Sequence, residues 1–232
     1  MGYKAETIRK LLRLFDETID WYLGMPELPG ICISTGNDKI GHVLNVSQPP
    51  IRTCANCSGC SKICYDVRDC LRFTNTTLDA RVRNYVLLMR DRDEYFRLID
   101  QRMSRRRKNK YFRWHVGGDI VDYDYFDRMV KNARNHPDFV IWSYTKNYAL
   151  VNKYVREHGG SPELAIPANF TIMFSEWRGM PMDNPYNFPE FRVVFKDDAV
   201  KPRGFYCPGN CDTCKKLNRG CIAGEITYCN EH

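Results

Sequence analysis

At 232 residues the chain can bury a full hydrophobic core, so neither metals nor disulfides are needed merely to hold it together. Eleven cysteines, an odd count, with no signal-peptide pattern at the start, argue against a secreted disulfide scaffold and for a reducing cytoplasm. No stretch is long and apolar enough to span a bilayer, and a net charge of +7 is moderate rather than extreme.

Residues 1–24 read as an amphipathic helix, with Ile8, Leu11, Leu12, Phe15 and Ile19 on one face. A stretch punctuated by Pro and Gly follows, with short apolar runs at 31–33 and 43–46 that read as strands. A loop rich in Asn, Ser, Gly and Cys comes next. Residues 78–103 then return to helical spacing through Val82, Tyr85, Val86, Met89, Phe96 and Ile99. Much of the positive charge sits just beyond, in Arg102, Arg105, Arg106, Arg107, Lys108 and Lys110. Such a run is either a solvated turn or a grip for phosphates.

From residue 110 the pattern alternates: strand 111–116, helix 124–135, strand 139–144, helix 148–158, then strands 169–174 and 191–195. Strand–helix–strand units of this length require crossovers and therefore a parallel sheet. Too few units fit for eight-fold closure. The expected fold is α/β, an open, partial parallel β/α barrel over residues 1–200, with an N-terminal helix. A cysteine-rich extension, 201–232, is expected to have little regular structure and to be held by what its cysteines bind.

Two cysteine groups carry the clearest chemistry. In the first, Cys54-x2-Cys57-x2-Cys60-x3-Cys64 repeats the spacing of bacterial iron–sulfur ligation. Four thiolates would saturate one 4Fe–4S cluster, and three would leave an iron open; Cys70 is a further candidate. Zinc is the rival, although this spacing is tight for one ion. In the second group, Cys207-x3-Cys211-x2-Cys214-x6-Cys221 offers four ligands for another cluster or structural zinc. Pro208 and Gly209 turn the chain there, and Cys229 and His232 stand in reserve. Cys32, alone on its apolar run, reads as a small buried hydrophobe.

Polar residues also gather where strands end, which is where parallel α/β sheets bind ligands. Gly117, Gly118 and Asp119 follow one strand, Ser143, Thr145 and Lys146 the next, and Ser175 and Glu176 the one after. The glycines would allow close backbone approach and the Asp could accept bonds from an amine or a ribose; an ordinary turn is the plainer reading. His115 could be a base, a ligand or a hydrogen-bonded sheet residue.

Asn45-x-Ser47, Cys60-x3-Cys64-Tyr65, Gly118-Asp119-Ile120, Trp142-Ser143-Tyr144-Thr145-Lys146 and the tail Cys207-Pro208…Cys211-x2-Cys214…Tyr228…His232 together resemble a phage-encoded cysteine-rich family, gene product eighty-eight-like, over roughly residues 35–232. More remotely, a cysteine loop after an early strand and Gly-Gly-Asp after a later one resembles the radical S-adenosylmethionine enzymes. That resemblance implies a three-cysteine 4Fe–4S cluster whose open iron takes the cofactor's methionine part. Its amino group would meet Gly117, Gly118 and Asp119. Those enzymes use Cys-x3-Cys-x2-Cys, whereas here the gaps run in the reverse order.

The sequence therefore leads to an iron–sulfur protein of redox or radical chemistry. Its metal ligands are Cys54, Cys57, Cys60, Cys64, Cys207, Cys211, Cys214 and Cys221, and its cofactor-binding residues are Gly117, Gly118, Asp119, Ser143 and Lys146. One or two 4Fe–4S clusters, zinc in the C-terminal set and S-adenosylmethionine are the expected cofactors. A small molecule or redox partner is expected, with no membrane. The alternatives are a simple electron carrier and a zinc-stapled nucleic-acid-binding protein, whose binding face would be the basic run with Tyr111, Phe112 and Trp114.

Overall fold

The computed structural model describes residues 2–57 and 59–231. It begins with helix α1 (Ala5–Leu23), whose Leu11, Phe15, Ile19 and Tyr22 form a buried stripe. Strand β1 (Leu44–Val46) leads into the cysteine loop, followed by α2 (Tyr65–Arg72), α3 (Asp79–Arg90) and α4 (Arg92–Ser104). Next come β2 (Tyr111–Trp114), α5 (Tyr123–Asn135), β3 (Val140–Thr145), α6 (Tyr148–Glu157), the short α7 (Pro162–Ala165), β4 (Phe170–Glu176) and β5 (Glu190–Val194). The chain closes with β6 (Phe205–Tyr206), α8 (Cys211–Leu217), a 3-10 turn at Gly220–Ala223 and β7 (Thr227–Asn230).

The seven strands form one sheet in the order β1-β2-β3-β4-β5-β7-β6, and every neighbouring pair is parallel. The sheet is not closed, which is the open parallel α/β fold expected from the alternating pattern. Side-chain alternation divides its faces. Phe112, Trp114, Ile141, Ile172 and Phe174 face helices and fill the main core with Phe126, Met129, Val151 and Tyr154. Trp142 and Met173 face the other way, with Tyr111, Val140, Tyr144 and Phe191, and are covered by Cys211, Cys221 and Ile222. A third cluster joins α1 to Val67 and Cys70 of α2 and to Val82 and Val86 of α3. No helix is long and apolar enough to cross a membrane among the described residues.

Three expectations need correction. Residues 78–103 are two helices, because Asp91 leaves helical geometry (φ −149°, ψ 85°) and its carboxylate accepts the Glu94 N–H at 2.8 Å, capping α4. Residues 31–33 are not a strand; the amide and carbonyl of Cys32 bond instead to the Asn84 side chain, at 2.7 and 3.0 Å. Cys32 itself is only half-buried. The C-terminal extension is not irregular: β7 inserts between β5 and β6 and continues the same sheet. Strands of two and four residues are too short for periodicity to reveal.

Candidate metal and cofactor site

The site is built where the first strands end. Ser47, just past β1, accepts at Oγ the backbone N–H of Val116 (3.0 Å) and Gly117 (3.3 Å), and the Gln48 N–H donates to the Gly117 carbonyl at 3.0 Å. The Tyr65 hydroxyl donates to the Val116 carbonyl, and Asn56 Nδ2 donates to the Lys146 carbonyl at 2.6 Å. A β-carbon on Gly59 would stand 2.8 Å from the Trp177 ring. The cysteine loop is thus fastened to the chain emerging from β2, β3 and β4, all at the carboxyl edge of the sheet.

The two glycines at this edge serve that fastening. Gly118 has φ +81°, where a side chain is strained, and its β-carbon would lie 2.6 Å from Thr53 Oγ1 and 2.7 Å from Gln48 Cβ. A β-carbon on Gly117 would fall inside the carboxylate of Asp66. That carboxylate is buried and takes the guanidinium of Arg81 at 3.0 Å. The close approach expected of a ligand at Gly117 and Gly118 is made, on this side, by the chain's own loop.

Asp119 is buried and already engaged: Oδ1 accepts the Ile120 N–H at 2.7 Å and Oδ2 the Lys146 N–H at 2.9 Å. Burial raises its pKa, against the lowering effect of those bonds. Lys146 Nζ donates to Ser175 Oγ at 2.8 Å and has no carboxylate partner among the described residues. Ser143 shares the helix-covered face with Ile141, and its hydroxyl lies 3.4 Å from His115 Nδ1. Thr145, two residues further along the same face, is the one whose side chain reaches Asp119. His115 is fully enclosed, 3.0 Å from the Tyr125 hydroxyl, and burial first, then the Arg113 charge, lowers its pKa to about 3. It is a neutral, hydrogen-bonded residue of the core side. Glu176 pairs with Arg192 at 3.1 Å.

In the first cysteine set, Cys60 is among the neighbours that act on Cys54, Cys57 and Cys64. Burial pushes all three up, Cys64 to about 11, and Asp119 is the next cause at Cys54. Cys70 is buried in the apolar cluster with Leu11, Phe15, Val67 and Val82, and Cys64 is among its charged neighbours. In the second set, Cys211 and Cys214 lie one turn apart on α8, whose start is capped by the Asn210 side chain accepting the Asp212 N–H at 2.8 Å. Cys207, Cys211 and Cys221 all act on Cys214, which burial foremost raises to about 12. Cys229 on β7 belongs here too, since Cys207 and Cys221 are among its charged neighbours. His232 lies outside the described residues.

Each set has the donor chemistry of a thiophilic centre: several thiols, within electrostatic reach of one another and drawn from one or two short segments. As the side chains stand, no three His, Cys, Asp or Glu among the described residues are arranged to hold a metal ion. Asn84, Asp66 and Arg81 were missed in the sequence. Single polar residues on helices carry no motif, and only their partners Cys32, Ser47 and Gly117 reveal what they do.

An open parallel α/β sheet with a cysteine loop at its carboxyl edge defines the class. The chain belongs to the Gene product 88 family, whose model matches residues 33–206. That match takes in the first cysteine set and stops at Tyr206, short of the second, whereas the sequence resemblance ran on to 232. No curated protein and no solved structure matches the chain.

Proposed function

We propose that the loop 54–64 holds a 4Fe–4S cluster through Cys54 or Cys57, Cys60 and Cys64. We further propose that the protein performs redox or radical chemistry with it, S-adenosylmethionine being the candidate cofactor, on a small molecule or with a redox partner. The observation that carries the reading is the fastening of the cysteine loop across the carboxyl ends of β2, β3 and β4, within reach of the charge of Asp119. Bound there, such a cluster supplies one-electron chemistry. The chain's own residues would orient what binds beside it. The remaining lone pairs of Asp119 suit an amine, and the Lys146 ammonium suits a carboxylate. Trp177 would shield the loop from water. Gly117 and Gly118 keep a supporting role, holding the loop at the turn.

Iron and acid-labile sulfide per chain, measured on protein purified without oxygen, test this. About four of each lost together in a Cys57→Ala/Cys60→Ala/Cys64→Ala variant support the cluster. A change in its spectrum on adding S-adenosylmethionine supports cofactor binding, and no change leaves a simple electron carrier. A chain without iron or sulfide refutes the reading.

One feature favours a second reading. Ahead of β1 and β2, at the opposite edge, His42, Arg102, Arg105, Arg106, Arg107 and Lys108 line a crevice of about 480 Å³, and these arginines and the lysine have no ion-pair partner among the described residues. Such a crevice fits the phosphates of a nucleic acid. Retention of DNA that falls steeply with salt and is lost on replacing Arg105 and Arg107 by Ala would support it.

A further inference from the structure

The sheet face not covered by the long helices contains a cation without a counter-charge. Arg113, in the middle of β2, lies with its guanidinium over the Tyr144 ring, 4.6 Å from the centroid. Its Nε is buried with no hydrogen-bond partner, and it makes no ion pair among the described residues. The side chain is half-buried overall, so the guanidinium keeps some water, but its buried Nε has lost its water and gained no acceptor, which is costly. The groups able to carry negative charge near it are Tyr144, Tyr65, Cys211 and Cys221. Two of these are phenols. The other two belong to the C-terminal cysteine set.

That set is gathered on the same face by ordinary structure, not by a flexible tail. Cys211 donates its N–H to the Lys39 carbonyl at 2.9 Å, and Cys207 donates to the Tyr228 carbonyl at 2.7 Å. Cys211 and Cys221 pack with Trp142 and Met173. Protonated thiols would give Arg113 nothing to pair with. Bare thiolates crowded together would repel one another. A thiophilic metal held by four thiolates resolves both: it stabilises the thiolates, and the assembly keeps a net double negative charge, whether the metal is one divalent zinc ion or a 4Fe–4S core.

We propose that Cys207, Cys211, Cys214 and Cys221 hold a second, tetrathiolate metal centre against the sheet face opposite the long helices, with Arg113 as its counter-charge and positioning residue. This centre does not depend on the first. Its ligands lie beyond residues 33–206, the part of the chain that the family model matches. Arg113 also has Tyr65, the residue after Cys64, among its charged neighbours.

The test is element analysis of the full chain and two variants, purified without oxygen. In Cys57→Ala/Cys60→Ala/Cys64→Ala the second centre should remain, as about one zinc, or as about four irons with matching sulfide. Cys211→Ala/Cys214→Ala should lose that metal and no other. If the first variant unfolds cooperatively yet holds neither zinc nor iron, the proposal is overturned. A parent chain that carries a single zinc, kept in the first variant and lost in the second, sinks the iron–sulfur reading of loop 54–64 and leaves this one standing. For Arg113, the metal should be stripped by a chelator about 10–100-fold more readily in Arg113→Gln, with substantial recovery in Arg113→Lys. In the iron case the potential should also move to more negative values in Arg113→Gln, since the lost cation favoured the reduced centre. Equal chelator sensitivity in the parent, Arg113→Gln and Arg113→Lys would remove Arg113 from the proposal.

Discussion

Replacing Gly117 by alanine places a methyl group where the Asp66 carboxylate now lies. Gly117 is not among the residues of positive φ, so the substitution adds volume without backbone strain. Forcing a methylene-sized group into a packed interior costs about 1–3 kcal/mol. Here the atom that must yield is one half of a buried ion pair, Asp66 with Arg81 at 3.0 Å, and parting such a pair costs about 3–5 kcal/mol. A loss near the upper range, about 3–5 kcal/mol, is expected. For a chain of this size that corresponds to a Tm lower by roughly 6–20 °C. Urea unfolding followed by circular dichroism measures it, with Gly24→Ala as control, where the nearest atoms stand at 3.5 Å and little should change. An unfolding midpoint in Gly117→Ala equal to that of the parent would refute the placement of Asp66 beneath the turn.

Three further outcomes are expected. The His115 pKa is lowered to about 3 when folded, so the unfolded chain takes up a proton near pH 6.5 that the native chain refuses. Stability is thus complete above that pH and declines by about 1.4 kcal/mol per unit below it, and His115→Gln should flatten the fall in urea midpoint between pH 7 and pH 5. Asp91→Ala removes the cap of α4 and should cost about 1 kcal/mol, read by thermal unfolding; no change would mean the cap carries no weight. Cys70→Ala should lower stability by about 1–2 kcal/mol through lost core contacts while metal content stays at the parent value; loss of metal would make Cys70 a ligand after all.

The parallel sheet was legible because β2, β3 and β4 alternate with helices α5 and α6 at crossover length, and each strand lies within a few residues of its expected place. Less could be read where a single side chain overrides a pattern. The helical spacing of 78–103 runs straight through Asp91, and only its capping bond to Glu94 reveals the break. Ser143 illustrates the limit at the site. It shares its face with Thr145, whose side chain reaches Asp119, but it sits two residues deeper in the strand and meets His115 instead, a difference in height that a pattern of alternation does not resolve. Gly117 and Gly118 were recognised as a place of close approach. That the approaching group is the cysteine loop depends on Asp66 and Thr53, distant in sequence. Arg113 carries no signal of its own, since nothing in a sequence marks a cation as lacking its anion.

The position of β7 sets the order in which the molecule can be completed. It is the last strand among the described residues, yet it lies inside the sheet, and β6 pairs with no other strand there. During synthesis β6 therefore has no neighbour to join until residues 227–230 have emerged, and Cys207, bonded through its N–H to Tyr228, waits with it. The first cysteine set meets its supports as soon as β2, β3 and β4 are in place. The two sets are thus assembled at different times, and a chain cut short at residue 226 would keep the early loop while its later cysteines remained without a strand to gather them.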